Sequence, residues 1–408
     1  MSHLTNGAIS IFPLNIAIIG YGAAGIAAAI FLRRTGHRIT HFESAPTSSN
    51  AGAGILLHPT GVKALDALGL LDKALTLGAR VDQLTGETVN GRKIMDLRYA
   101  DVDANAFGLG ILRRTLLTLL SDADSGADQL FAAHSVDAID SVRGYVNTSD
   151  GAQFGPFDLI VAADGSNSNA RRSAPSLVLH ERAYRTKAAI CAVDDPDNSL
   201  QESLTQRFSG GSHISMWRAG RCADTLMPRA IVAMNLPVFE KHREPEASHW
   251  MEEARAFDPA IATLLNQQTT VPKLYRYDYR DVVMRRYYQN RLVFIGDAAH
   301  AMSPQIGHGT SMALLDAWSL STSLLRCANV ADAVARYDQA RRTHVAVYQQ
   351  FSRWSTPIFQ SDRKVFVAFR DYLHFPLSRI PIIRRTMLNT LCGIQHGFLS
   401  GAPIEDLI

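Results

Sequence analysis

Four features are scarce in this 408-residue sequence: cysteines, long apolar runs, basic blocks and charged residues in general. The four cysteines, Cys191, Cys222, Cys327 and Cys392, are far apart, and none lies in a CxxC or a Cys/His cluster. A disulfide framework and a metal site are therefore not expected, and a reducing compartment fits best.

The missing runs of apolar and basic residues exclude further classes of protein. No stretch reaches the roughly 18 uninterrupted apolar residues of a transmembrane helix. The net charge is only +3, and no basic block exceeds two or three residues, so no nucleic-acid partner is expected. The N-terminal segment has no Lys or Arg before its apolar stretch and is a poor signal peptide, so a cytoplasmic location is predicted. At 47% hydrophobic and 19% charged residues, the chain has enough apolar surface for a large folded core.

Residues 14–43 predict a strand, a helix and a second strand. The apolar run 14–19 is typical of a strand buried on both faces. The Ala-rich segment 23–34 has apolar residues at helical spacing, and Gly36 ends it. The segment 37–43 alternates and is rich in strand-forming residues, which completes a βαβ unit.

A glycine motif, Gly20-Tyr21-Gly22-Ala23-Ala24-Gly25, joins the first strand to the helix. Gly20 permits a tight turn, Gly22 lets the backbone approach a pyrophosphate, and Gly25 lets helix and strand pack closely. Glu43 ends the second strand, where a carboxylate accepts hydrogen bonds from ribose hydroxyls. The unit predicts dinucleotide binding but does not separate FAD from NAD.

Two later motifs also follow predicted strands. The strand at 158–163 ends in Asp164-Gly165, which is either functional or an ordinary β-turn. Residues 296–310, GDAAHAMSPQIGHGT, open a helix. Asp297 suits a sugar-like chain of hydroxyls, and Gly307 and Gly309 leave room for a flat ring against the backbone. The positive end of the helix beginning near Thr310 would stabilise the negative charge of a reduced flavin.

With these three motifs in order, the sequence resembles the class A flavoprotein monooxygenases, the para-hydroxybenzoate hydroxylase family. The segment Asp281-Val282-Val283-Met284 with Arg291-Leu292-Val293-Phe294, and Gly52-Ala53-Gly54-Ile55 with Pro59, add to the resemblance. It covers about residues 14–360 and is specific for FAD, less so for substrate.

The resemblance implies that Gly20, Gly22, Gly25 and Glu43 hold the ADP half of FAD, and that Asp297 binds the ribityl chain. Arg113 matches an arginine near the FAD phosphates, with Arg114 as the alternative. The positions predicted at the cofactor are Gly20, Gly22, Ala24, Gly25, Glu43, Ser44, Gly54, Arg113, Asp164, Gly165, Gly296, Asp297, Pro304, Gly307, His308, Gly309 and Thr310. Pro304, beside the isoalloxazine ring, and His213 are the residues predicted at the site of reaction.

Three departures from the family pattern affect this assignment. Ser44 stands where many relatives have a basic residue, and His308 stands where Gln, Leu or Glu is commoner. Thr310-Ser311 replaces the more usual Ala-Asn. These changes bear on flavin mobility and on access of NAD(P)H.

The predicted fold is α/β, a Rossmann-like FAD-binding domain of the para-hydroxybenzoate hydroxylase (GR2) type. Residues 10–80, 101–178 and 286–360 are assigned to this discontinuous domain. Residues 81–100 and 179–285, rich in short alternating runs with one helix near 249–257, are assigned to an inserted, mainly antiparallel substrate domain. Residues 361–408 are assigned to a C-terminal helical tail, which either packs over the FAD domain or touches a membrane surface.

The implied activity is an NAD(P)H-driven monooxygenase that hydroxylates an aromatic or heteroaromatic ring. NADH or NADPH would reduce FAD, and O2 would give a C4a-hydroperoxide that transfers one oxygen. Alternatives are a halogenase or reductase of the same fold, and a non-catalytic FAD-binding protein. The sequence contains no Trp-x-Trp pair, which argues against the halogenase. A monomer or homodimer is expected.

Substrate contacts are predicted less specifically. The side chains expected to face the ring are Tyr184, Arg207, His213, Met216 and Trp217. For each one, a place in the core or on the surface is the alternative. His300 is expected to pack beside the flavin rather than to act as an acid or base, and the alternating Tyr275, Tyr277 and Tyr279 are expected on a sheet surface.

Overall fold

The computed structural model describes residues 13–46, 53–124, 130–222, 225–236, 247–361, 363–398 and 400–408, without the side chains of residues 185 and 186. Gly52 of the glycine-rich loop and residues 10–12 of the predicted FAD domain lie outside these ranges. The described strands are β1 (Asn15–Ile19), β2 (Arg38–Phe42), β3 (Gly54–Leu57), β4 (Ala79–Val81), β5 (Gln83–Thr88), β6 (Lys93–Arg98), β7 (Gly108–Leu112), β8 (Leu130–Phe131), β9 (Val136–Asp140), β10 (Tyr145–Thr148), β11 (Gln153–Phe154), β12 (Leu159–Ala162), β13 (Val178–Asp194), β14 (Ser203–Ser209), β15 (Ser212–Arg221), β16 (Pro228–Leu236), β17 (Tyr275–Met284), β18 (Tyr288–Gln289) and β19 (Leu292–Phe294).

The described helices are α1 (Ala23–Arg34), α2 (Pro59–Ala67), α3 (Leu71–Leu77), α4 (Arg113–Ala123), α5 (Ala247–Arg255), α6 (Pro259–Asn266), α7 (Asp297–His300), α8 (Gly309–Arg326), α9 (Val330–Gln360), α10 (Lys364–Ala368), α11 (Phe375–Ser378) and α12 (Pro381–Cys392). A π-helical segment, Phe369–His374, joins α10 to α11. Among the described residues, no helix is both long enough and apolar enough to cross a membrane.

A six-stranded sheet in the order β18-β19-β12-β1-β2-β8 forms the centre of the nucleotide-binding part. Its strands are parallel except for the edge strand β18. Ile16, Ala17 and Ile18 of β1 are fully buried because helices cover the sheet, which confirms the apolar run as a central strand. The strands β1, β12 and β19 are far apart in sequence, but their carboxyl ends meet at one edge, so the three predicted motifs converge there.

A seven-stranded sheet in the order β17-β13-β16-β15-β14-β5-β6 forms the second large layer. Its neighbours pair antiparallel except β14 with β5. The hairpin predicted at Asn90-Gly91 joins β5 to β6, and Gly91 has φ +79°. The mainly antiparallel inserted sheet is therefore confirmed, whereas the domain boundaries stay a prediction.

The second sheet is covered on one face by two helices, where the sequence predicted one. Pro259 cannot continue the hydrogen bonding of α5. The Asp258 carboxylate accepts a hydrogen bond from the Ala260 N–H, so it caps a separate helix, α6. Trp250 of α5 and Ile261 of α6 pack on the buried sheet residues that face them. This leaves the opposite face of the sheet for the site described below.

The C-terminal tail lies against both layers rather than over the nucleotide-binding part alone. Leu388 and Leu391 of α12 pack with Trp217 of the second sheet. Further along, Ile404 and Leu407 pack against Leu315 of α8. The tail therefore closes the junction between the two layers.

Candidate active site

A cavity of about 720 Å³ lies between the carboxyl edge of the parallel sheet and the free face of the seven-stranded sheet. Of the residues predicted at the cofactor, those that line it are Gly22, Ala24, Gly54, Arg113, Gly165, Asp297, Pro304, Gly307, His308, Gly309 and Thr310. His213 lines the opposite wall. The positions predicted at the cofactor that do not line it are Gly20, Gly25, Glu43, Ser44, Asp164 and Gly296.

The three glycines of the first motif have different surroundings. A Cβ at Gly20, which has φ +101°, would lie 2.5 Å from the Ala163 carbonyl oxygen. A Cβ at Gly25 would lie 2.0 Å from the Gly20 carbonyl oxygen, so only glycine lets α1 start so close to β1. At Gly22 a Cβ would meet no atom within 4 Å, because that position faces the cavity. Gly22 thus leaves open the space in which a phosphate would approach the helix N-terminus.

The Glu43 carboxylate lies beside this loop. One oxygen accepts a hydrogen bond from the Tyr21 N–H at 2.7 Å, and the other accepts from the Ala45 N–H at 2.8 Å. Ser44 donates to the same carboxylate at 3.2 Å. No sequence motif indicated His41. Its Nε2 atom lies 2.9 Å from the Gly20 carbonyl oxygen, a contact that stabilises the turn.

Arg113 and Arg114 differ in position at the start of α4. Arg113 is half-buried and lines the cavity, whereas Arg114 is exposed outside the lining. Gly54 also borders the cavity, and a Cβ there would lie 2.5 Å from the side chain of Ile231 of β16. Absence of a side chain at Gly54 therefore lets the strand β3 lie against the second sheet.

The Asp164-Gly165 pair ends β12 at the cavity edge. One Asp164 oxygen accepts from the Ala170 N–H at 3.0 Å, while Oδ1 is buried and has no hydrogen-bond partner among the described residues. Burial raises the pKa of this carboxyl, although Ser168 and the backbone of Ala170 oppose the effect. Gly165, with φ +79°, lines the cavity next to it.

Asp297 begins α7 and presents its carboxylate to the cavity. Burial raises its pKa, and the nearby His300 and Arg113 lower it. Gly296 before it has φ +58°, and a Cβ there would lie 3.2 Å from the Cβ atoms of Ala24 and Ala313. The glycine therefore lets β19, α1 and α8 meet directly behind the Asp297 carboxylate.

A buried acid that the sequence did not indicate, Asp316 of α8, holds this loop. Its Oδ2 accepts from the Gly296 N–H at 2.8 Å and lies 2.6 Å from His300 Nε2. Its Oδ1 accepts from Arg341 Nε at 2.7 Å, and all three side chains are buried. His300 is turned into this network and does not line the cavity, and its place beside the flavin stays a prediction.

The segment 304–310 forms the cavity floor. Gly307 takes φ +68°, and α8 begins at Gly309 with its N-terminus at the cavity. The His308 ring stacks on His58 with 4.0 Å between centroids, and His58 Nδ1 lies 2.8 Å from the Tyr99 hydroxyl. Burial lowers the pKa of His58 to about 3 and that of His308 well below its usual value, so both rings are neutral. His58 carries no sequence signal beyond its place before Pro59.

The second sheet supplies the opposite wall, mostly through alternate residues of its strands. Those that line the cavity are Leu84, Met95, Leu97, Ala188, Ile190, Leu204, Gln206, His213, Ser215, Trp217, Ala233, Met234, Asn235, Tyr277 and Tyr279. Tyr277 and Tyr279, expected on a sheet surface, lie on the face of the sheet that lines the cavity. Period-2 alternation predicts which strand residues share a face, but only the covering helices decide which face borders the cavity.

Three of the five predicted substrate contacts lie elsewhere. Met216 points to the other face of the sheet and packs under α5 and α6. Arg207 pairs with Glu87 and Asp258 outside the cavity lining. Tyr184 lies beside Asp281 and Arg353 and does not line the cavity either.

His213 and Trp217 are the two that line the wall. The backbone N–H of His213 donates to the Asn235 side-chain oxygen at 2.5 Å, and the His213 ring stacks on Phe208 with 5.4 Å between ring centroids. Burial, reinforced by Arg370, lowers the pKa of His213 to about 4. His213 is therefore a neutral imidazole near neutral pH.

The residues present fit FAD. The open space at Gly22, the cavity-facing carboxylate of Asp297 and the glycine floor at 307–309 are parts of one continuous cavity. A long cofactor with a phosphate part at one end and a flat ring at the other could lie across these positions. The convergence of the first and third motifs, 270 residues apart in sequence, is the observation that carries this fit.

Comparisons with known proteins agree with this geometry. The sequence model of the FAD binding domain family matches residues 14–352. The chain is 26% identical over 385 residues to 3-hydroxybenzoate 6-hydroxylase 1 of Aquipseudomonas alcaligenes, covering 88% of this chain and 93% of that protein. It is 25% identical over 346 residues to the putative 2-heptyl-3-hydroxy-4(1H)-quinolone synthase AqdB1 of Rhodococcus erythropolis, covering 83% and 86%.

A solved structure has the same fold. Klebsiella pneumoniae HpxO, crystallised with FAD and uric acid, superposes with a TM-score of 0.78 at 20% identity, covering 93% of this chain and 97% of that one. The matched span includes all three motifs. The chain therefore belongs to the FAD-binding family of para-hydroxybenzoate hydroxylase-like class A flavoprotein aromatic hydroxylases.

Proposed function

We propose that this FAD-dependent aromatic hydroxylase takes its electrons from NADH or NADPH and uses O2 to hydroxylate an aromatic or heteroaromatic small molecule. The observation that carries the proposal is the continuous cavity, bounded by the FAD motifs on one side and on the other by a sheet face of apolar and uncharged polar side chains. The names of the relatives include a hydroxybenzoate and a quinolone, which supports a ring substrate without selecting one.

Bound FAD, once reduced, supplies the oxygen-activating chemistry. The chain's own residues hold and orient it. Asp297 and Arg113, which line the cavity, would bind its polar chain, and the N-terminus of α8 would stabilise negative charge on a reduced ring at the cavity floor. Pro304 and Gly307 to Gly309 provide the surface beside the ring.

The sheet wall orients the substrate and excludes water. Its apolar members, among them Leu204, Ile190 and Leu97, surround the space facing the floor. His213 is proposed to act as a neutral hydrogen-bonding group, since its lowered pKa makes it a weak base. An imidazole with a pKa of about 4 would not change charge near neutral pH, so hydrogen bonding is the role that remains.

Purified protein tests the proposal directly. We expect bound flavin, NAD(P)H oxidation that aromatic compounds stimulate, and one atom from isotopically labelled O2 in the product. Halide-dependent products, or turnover without O2, would favour a halogenase or reductase of the same fold. Flavin that NADH and NADPH both fail to reduce would favour a non-catalytic FAD-binding protein.

Oxidation of NADH and of NADPH, measured under the same conditions, identifies the electron donor. The cytoplasmic location and the monomeric or homodimeric state stay predictions. Peripheral membrane contact by the exposed apolar side chains of the tail, such as Val365 and Ile382, is the alternative use of that segment.

A further inference from the structure

The two halves of the cavity differ in charge. Among the described residues, the Lys, Arg, Asp and Glu side chains that line it are Arg113 and Asp297, and both lie on the side of the FAD motifs. The half formed by the seven-stranded sheet is lined by apolar side chains and by uncharged polar ones. The polar ones that the argument uses are Gln206, Ser215, Asn235 and Tyr279.

These polar groups are held by one another or by the backbone. Gln206 Nε2 donates to Ser215 Oγ at 3.1 Å across neighbouring strands. Asn235 Nδ2 donates to the Gly211 carbonyl at 3.1 Å. Burial raises the pKa of the Tyr279 hydroxyl, which keeps it neutral. The wall can thus offer hydrogen bonds to a ligand but no formal charge.

Arginines adjacent to this wall are already paired. The Arg207 side chain projects from the face of β14 opposite the cavity and forms ion pairs with Glu87 and Asp258. Arg370, whose guanidinium lies 4.9 Å from the Phe208 ring centroid, forms an ion pair with Asp371 and donates from Nη1 to the Gly210 carbonyl, while its Nη2 has no hydrogen-bond partner among the described residues. Neither arginine lines the cavity. A carboxylate bound at the sheet wall would therefore meet no described cation there.

Exposed aromatic side chains form one part of the cavity lining. Trp354 lines the cavity, yet 51% of its surface is exposed, and it stacks on the exposed Phe398 with 5.7 Å between centroids. Phe351 lies beside both rings and lines the cavity as well. A ligand that enters here passes aromatic surface before it reaches the sheet wall.

We infer that the substrate is an uncharged, largely apolar ring compound with neutral hydrogen-bonding groups, and not a ring carboxylate. This rests on the proposed function, because it places the substrate at the sheet wall. Burying an unpaired carboxylate is costly, whereas an uncharged ring gains from leaving water.

Binding of matched ring pairs tests the inference. The probes are phenol with 3-hydroxybenzoate and 4(1H)-quinolone with its 3-carboxylic acid, added to the FAD-loaded protein and followed by flavin absorbance and tryptophan fluorescence. We expect the uncharged member of a pair to bind about tenfold tighter or more. Equal affinity, or preference for the acid, overturns the inference.

A charge placed in the wall gives the converse test. Gln206→Arg should shift the affinity ratio about tenfold towards the acid, since the new guanidinium pairs with a carboxylate. Ser209→Arg adds the same charge at an exposed position at the end of the same strand and should leave the ratio unchanged. An unaltered ratio in a Gln206→Arg protein that retains its flavin and its unfolding midpoint would show that the substrate does not bind at this wall.

Different results would reject the proposed hydroxylase activity and the inferred uncharged ligand. Selective binding of uncharged rings without oxygen incorporation would reject the hydroxylase but not the inferred ligand. Hydroxylation of the acids in preference to the uncharged rings would reject the inferred ligand but not the hydroxylase.

Discussion

Asp316→Asn tests whether a buried acid on α8 supports the cofactor loop. The carboxylate is fully buried and accepts from the Gly296 N–H, and it lies within hydrogen-bond distance of His300 and Arg341. An asparagine has the same shape, but it keeps only one acceptor oxygen and no charge. The change therefore leaves the buried Arg341 guanidinium without its anion.

Two estimates give the size of the effect. Removing one partner of a buried ion pair costs about 3–5 kcal/mol. Burial by itself raises the pKa of Asp316, but His300 and Arg341 outweigh it and lower the pKa from 3.8 to about 2. A depressed carboxyl pKa contributes stability above the unfolded-state pKa, and a lowering by about 1.8 pKa units corresponds to about 2.4 kcal/mol at neutral pH. We expect the free energy of unfolding to fall by about 3 kcal/mol.

Urea unfolding at neutral pH measures this change, and flavin retention after gel filtration reports on the loop. Asp332→Asn is the matched control, because Asp332 is exposed in the first turn of α9 and its substitution should change stability by about 0.5 kcal/mol or less. A loss below about 1 kcal/mol for Asp316→Asn, or one equal to that of the control, would refute the role of the network.

Three further predictions concern the cofactor site and pH. Asp297→Ala should lower FAD occupancy, since a buried ribityl hydroxyl would lose its acceptor; unchanged occupancy and affinity would mean that the loop is misassigned. Gly22→Ala should weaken FAD binding with little loss of stability, whereas Gly25→Ala should destabilise the fold, because its Cβ would lie 2.0 Å from the Gly20 carbonyl oxygen. FAD titration measures the first effect and urea unfolding the second. Equal effects of the two substitutions on both measurements would contradict this prediction. Burial lowers the pKa of His41 and His213 from 6.5 to about 4 and that of His58 to about 3, so the unfolded chain binds more protons as the pH falls below 6.5. Stability should then drop by up to about 1.4 kcal/mol per histidine per pH unit, and an unfolding free energy that is flat from about pH 7 to 5 would contradict this.

Local pattern was enough to predict the nucleotide-binding elements. The apolar run before Gly20, the helical spacing after it and Glu43 depend on residues close in sequence, and β1, α1 and β2 form where expected. The hairpin at Gly91 was predicted for the same reason. The turn needs a residue that adopts a positive φ, and glycine, here at φ +79°, does so without steric cost. The break between α5 and α6 was missed although Asp258-Pro259 signals it locally.

What the tertiary structure decided is which distant residues meet. Asp316, His58 and His41 carry no motif, and their roles arise from contacts with residues 16 to 41 or more positions away. The same holds for the sheet wall. Alternation fixed which residues of β14, β15 and β17 share a face, but α5 and α6 cover one face and turn the other to the cavity, so Tyr279 lines it while Met216 and Arg207 do not. Sequence by itself determined the cofactor motifs, because their chemistry is local; the lining of the substrate cavity depended on the packing of layers, which no local pattern contains.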